Sequence, residues 1–430
     1  MEKLLEEIAA IPDVPFLYRP VKDWAKNKLQ GSNIEALSLA EDEFALYARI
    51  KKGKSTRKIY VISHLDHPGI VFKNKDYGLP LGSVGYDKLG NYDYTRVIRQ
   101  QEIKPILLRI YSPNGKFQQK ATVGHISTKN VVPIISVNSS LPISLNSFGI
   151  WDTSIFNKHA ETIQMRNADN NAATVIAVKL LLESRHLKNI DLEVIFTYLE
   201  EVVQISSMAI AQRGTTPFGK ITPESFIINL DPMEIETGET EQNLIRKLKL
   251  KQPNYKDGLI IKANDRNLVY GLYFKETNQA EVLLNQGARE MNIPHQQTIT
   301  CNSTDAKSFS LFSLTPNIAT IAIPCRYKHN QGINGEFVPE EVMQRDLDNT
   351  LKLLQWGINQ SEVPLNQHTL SERLKKLRYG LSISEAEELK RDQVKAVAAA
   401  RPRLQRGVYF GRNILEKFDI NLWRLVSKFI

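Results

Sequence analysis

The chain is poor in cysteine, with two in 430 residues, Cys301 and Cys325. A multi-bridge disulfide scaffold is therefore excluded, and a reducing, cytoplasmic setting is expected. No run approaches the roughly eighteen consecutive apolar residues of a spanning helix, so no membrane span is expected. The first residues, MEKLLEEIAAIPD, bring acids early and lack a basic-then-apolar pattern, so a secretory signal is not expected. There is no internal repeat and no low-complexity tract. A hydrophobic share of 42% with 24% charged residues is that of a folded globular chain, long enough for two or three domains.

The charge is uneven. The formal net charge is +9, and Ser371 to Ile430 holds fourteen Lys/Arg against seven Asp/Glu. Such a segment can bind nucleic acid, an acidic membrane surface or an acidic protein, but it reads more simply as a solvated helical face. It lacks regularly interleaved aromatics and any standard motif, so nucleic acid is not an expected partner.

Apolar, β-branched runs at Lys58–His64, Asp191–Tyr198, Ser225–Asp231 and Ala319–Pro324 read as buried strands. Helical spacing marks Asn171–His186, Thr277–Asn292 and Pro339–Ile358. The alternation predicts an α/β fold with a mainly parallel sheet flanked by helices. Residues 73–149 differ, with dense turn signals and short strand-like runs (PILLRIY, VVPIISV), and predict an inserted β-rich domain. The α/β part then comprises 1–72 and 150–360. Residues 361–430 form a basic, helical C-terminal extension. There Ser384 with Glu387 predicts a capping box, Arg401–Pro402 a helix end, and Asn413–Ile430 a final amphipathic stretch.

In open α/β sheets, ligands bind beyond the carboxyl ends of the strands. Those ends carry His64-Leu65-Asp66, Glu200-Glu201, Asp231 and His329, and Asp169 stands in ADNNAA at a helix entry. Taken alone, each has a plain structural explanation: a turn, a helix cap, a solvated acid pair. Together they form an ordered set of imidazoles and carboxylates, the donors that suit Zn²⁺ and similar ions. Two ions sharing one carboxylate form a two-metal hydrolytic site.

The segments HLDHPGIVF, ADNNAA, FTYLEEV, INLDP, STDA and IPCRYKHN resemble those of the M42 metallo-aminopeptidases, the glutamyl and tetrahedral aminopeptidases, with the M28 and M20 peptidases as more distant relatives. The resemblance implies a zinc-peptidase-like fold and a dinuclear aminopeptidase that removes N-terminal residues from peptides. By the same resemblance His64, Asp169, Glu201, Asp231 and His329 bind two divalent ions, zinc, cobalt or manganese, with Asp169 bridging. Asp66 orients His64, and Glu200 is the general base. It also implies a homo-oligomer assembled through the β-rich insert. His67, Asn170 and the extension after Ser361 depart from the family pattern. Other readings are a carboxypeptidase or deacylase on the same framework, or a metal-binding scaffold without catalysis.

Overall fold

The computed structural model describes residues 1–404 apart from 33, 56, 76, 83–97, 99–100, 102–103, 128–132, 185–186, 188, 236, 301 and 361–368. Its centre is an eleven-stranded sheet. The four predicted apolar runs form its middle: Ile190–Thr197, Ile59–His64, Phe226–Glu234 and Ile318–Arg326 lie side by side in that order, paired in parallel. They are buried almost throughout, as β-branched runs without polar alternation must be.

The sheet as a whole is mixed rather than mainly parallel. Ala45–Lys52 and Leu37–Glu41 extend one edge antiparallel, and Glu340–Met343, Thr162–Met165 and Phe156–His159 extend the other. Antiparallel neighbours need only short connections, and these short strands of mixed polarity give no strong period. Glu340–Met343 corrects a prediction. The helix expected from Pro339 begins only at Gln344, because the four residues before it join the sheet.

Helix Ala168–Glu183 is apolar on nearly all sides and is buried accordingly. Gln279–Glu290, capped by the Asn278 side chain, and Gln344–Asn359 complete the predicted helices. The extension is helical where described, at Leu370–Lys376 and Ile383–Leu404. Ala386, Leu389, Val397 and Ala400 of the second helix join the main core. The capping box falls two residues earlier than predicted. Ser382 and Glu385 exchange the bonds, with Ser382 N donating to Glu385 Oε2 at 2.8 Å and Glu385 N to Ser382 Oγ at 3.3 Å. The helix also runs past Arg401–Pro402 to Leu404. Asn413–Ile430 and Cys301 lie outside the described residues. Among the described residues, no helix is long and apolar enough to cross a membrane.

Six strands between Gly69 and Trp151 close into a barrel in the order Gly69–Phe72, Tyr77–Leu81, Ile134–Ser139, Phe117–Ser127, Leu107–Tyr111, Phe148–Trp151. The barrel has its own core of Ile70, Phe72, Leu108, Ile110, Val123, Ile135 and Trp151. The chain rejoins the main sheet at Phe156.

Candidate metal centre

The parallel strands end on one rim, and their loops bring the acids and imidazoles together. His64 closes its strand. Its Nδ1 lies 3.0 Å from the Asp66 main-chain oxygen and 3.4 Å from Asp66 Oδ1. The Asp66 carboxylate faces the next loop, where Oδ1 accepts from Glu200 N at 3.0 Å and Oδ2 from Glu201 N at 3.1 Å. One side chain therefore sets both the imidazole and the acid pair. Asp66→Ala would leave the Glu200 and Glu201 N–H groups without their acceptor and remove the carboxylate beside the ring, while the main-chain oxygen stays. It is expected to weaken divalent-ion affinity about 10–100-fold, measured by chelator competition.

Asp169 lies at the start of its helix but does not cap it. The cap residue is Asn167, without a side-chain capping bond, and φ/ψ at Asp169 (−85°, 106°) is not helical. The peptide bond from Asp169 to Asn170 is cis. Asp169 Oδ1 lies 3.2 Å from His64 Nε2, while Oδ2 lies 3.2 Å from His329 Nε2 and 2.9 Å from Lys328 Nζ. His329 Nε2 is also 3.0 Å from Glu201 Oε1. Asp231 stands inside its strand rather than at its end, and meets the cluster through Lys328, 3.4 Å from Oδ1.

The ligand-bearing turns carry strain. Tyr327, His329 and Asn330 have φ of 59°, 57° and 63°, and Val203 and Gln204, just after the acid pair, have 64° and 52°. Such backbone persists where its surroundings over-determine it. At the His329 turn one such constraint is Glu340, whose carboxylate accepts from Asp169 N at 2.8 Å and from His329 N at 2.5 Å. His67 adds a second tie, with one ring nitrogen against the Asp169 carbonyl and the other 3.1 Å from Asn330 Oδ1.

Electrostatics separate the acids. Burial drives Glu200 well above the usual carboxylate range, and its Oε1 accepts from Gln204 Nε2 at 2.9 Å. Burial acts on Glu201 too, but His329 outweighs it and holds this acid below its ordinary value. Asp169 is likewise buried, yet Lys328, His329 and His64 keep it well below. Burial raises Asp231 to about 7 against the pull of Lys328.

His64 Nε2, Asp169 Oδ1, Glu201 Oε1 and Asp231 Oδ2 are buried without a hydrogen-bond partner. One ligand atom each from His64, Asp169 and Glu201 lies within 4.8 Å of the other two. Small side-chain shifts would bring these three to the bond lengths of about 2.0–2.2 Å that zinc asks of nitrogen and carboxylate donors. The cluster thus fits a divalent ion. All seven predicted residues fall in one region. Lys328, Glu340, Asn330 and the Asp305 carboxylate, 2.5 Å from Thr197 Oγ1, were not singled out. Lys328 and Asp305 stand within segments that were, RYKH and STDA, whereas Glu340 was hidden in a stretch read as helix.

The M42 glutamyl aminopeptidase family model matches residues 136–334, a stretch that includes Asp169, Glu200, Glu201, Asp231 and His329 but not His64 or Asp66. Similar folds include an aminopeptidase of the archaeon Desulfurococcus kamchatkensis, with 17% identity, TM-score 0.61, and 89% of this chain and 98% of that one covered. The TET1 peptidase of Pyrococcus horikoshii, which can assemble into a tetrahedron or a large octahedral shell, has 14% identity, TM-score 0.61 and coverages of 83% and 98%. A TET aminopeptidase from a marine-sediment Thaumarchaeota archaeon has 13% identity, TM-score 0.61 and coverages of 83% and 96%. No curated protein matches the sequence.

Proposed function

We propose that the chain is a metal-dependent aminopeptidase of the M42 kind, a hydrolase of peptide bonds, a reading supported by the M42 family model over residues 136–334. The observation that carries this reading is the convergence of His64, Asp169 and Glu201, with unpartnered donor atoms, beside a second acid, Glu200, of opposite electrostatic character. A bound divalent ion supplies positive charge that polarises a carbonyl and acidifies a water. His64, Asp169 and Glu201 would hold it, with His329 and Asp231 at the same pocket. The resemblance implies a second ion sharing Asp169, with zinc, cobalt and manganese all suited to these donors.

Glu200 is not needed as a ligand. A buried carboxylate of raised basicity is suited to take a proton from the attacking water and pass it to the departing amine. Asp66 holds the Glu200–Glu201 backbone and the His64 ring in register. The preference for a substrate with a free amine follows from the resemblance to the M42 aminopeptidases.

We assign the chemistry to 1–72 with 150–360, self-association to the β-rich 73–149, and a packing role to the basic 361–430, in a reducing, cytoplasmic setting. The test is a pair of aminoacyl-anilides, free and N-acetylated, with the metal-loaded chain. The free amine is expected to react at least about 100-fold faster. Equal rates would favour a deacylase, and no hydrolysis at full metal loading would favour a scaffold.

A further inference from the structure

The gap between Asp169 and Asp231 is spanned by a side chain of the protein itself. Lys328 leaves the turn that carries His329, and its Nζ lies 2.9 Å from Asp169 Oδ2 and 3.4 Å from Asp231 Oδ1. Both carboxylates are fully buried and the lysine side chain is only 13% exposed. The two oxygens of Asp169 are therefore in different situations. Oδ1 faces His64 Nε2 and neither atom has a hydrogen-bond partner, whereas Oδ2 is engaged by Lys328 and His329. A pair of ions bridged by Asp169 needs both oxygens. An ammonium and a divalent ion cannot share so small a buried space, because like charges repel strongly where water does not screen them.

We infer that the ammonium of Lys328 is a built-in cation standing at one of the two expected metal positions, between Asp169 and Asp231, so that the chain takes one tightly held divalent ion on the Oδ1 side of Asp169. This rests on the metal-dependent reading above and departs from the paired-ion expectation of the sequence. It changes the chemistry of that half of the site. An ammonium offers hydrogen-bond donors and charge but no coordination position. It can hold a carboxylate or a developing oxyanion, and it cannot bind and acidify a water as a metal does. Asp231 then serves as the partner of Lys328 rather than as a ligand.

The test is zinc stoichiometry of the full chain, stripped with chelator and reloaded, by calorimetric titration and by elemental analysis after gel filtration. The parent is expected to retain about one ion per chain, and Lys328→Met about two. In the Met variant the second ion should bind more than about tenfold tighter than in the parent. Lys328→Arg, which keeps the charge, should remain at about one. Two ions in the parent would overturn the inference while leaving the metallopeptidase reading intact, and so would a folded Met variant that stays at one. A parent that binds no zinc would remove both. Should the Met variant fail to fold, Asp231→Asn decides. Retention of the parent's ion is expected, and its loss would make Asp231 a ligand and overturn the inference.

Discussion

Glu200→Gln is expected to keep the parent's divalent-ion content and to lower kcat about 10²–10⁴-fold. The substitution is close to isosteric, and its amide oxygen can still accept from Gln204 Nε2, which bonds Glu200 Oε1 at 2.9 Å. What it removes is the ability to accept and return a proton. Burial gives Glu200 an affinity for protons that its neighbour lacks, since His329 holds Glu201 ionised. The pH profile adds a separate readout. In the parent, activity should fall as acid protonates Glu200, and in the Gln variant that limb should vanish. Elemental analysis with steady-state kinetics checks the expectation, and a Gln variant with the parent's kcat would place the base elsewhere.

Asp169→Asn is expected to abolish tight ion binding together with activity, and also to destabilise the metal-free chain by about 3–5 kcal/mol, because it leaves buried cations without their counter-charge. Lys328 and His329 both rely on Asp169 Oδ2, at 2.9 and 3.2 Å. The sign with pH follows from the direction of the shift. Burial opposes ionisation of Asp169, but Lys328 and the two histidines outweigh it and hold the carboxyl well below its ordinary value. A carboxylate lowered in the folded state contributes stability above its unfolded pKa, near 4, and loses it as pH falls through the lowered folded value. The parent minus variant difference, from urea unfolding of metal-free protein, should therefore be full at pH 7 and shrink below about pH 4. A difference that stays flat into acid, or an Asn variant that keeps tight divalent-ion binding, would contradict this account.

The apolar runs that became the central parallel strands were legible because burial on both faces leaves no alternative composition. His64, Asp66, Glu200, Glu201 and Asp231 could then be placed near one rim, since each follows or ends such a run. The antiparallel edges were not legible. Leu37–Glu41 is short and partly exposed, Glu340–Met343 is only four residues long, and the residues of both fit other structures equally well. That is why Glu340, which fixes the backbone on both sides of the ligand cluster, went unnoticed. Lys328 was in plain view between Tyr327 and His329. Its role depends on which way a flexible side chain turns, and spacing along the chain carries no information about that.

An aromatic joint links the barrel to the candidate metal centre. The loop leaving His329 doubles back through a bridge between Gln331 and Phe337, and the Phe337 ring lies flat on Trp151 of the barrel, with centroids 3.9 Å apart. Because close-packed interiors yield little, these two rings hold the barrel wall and the segment that follows His329 in fixed register.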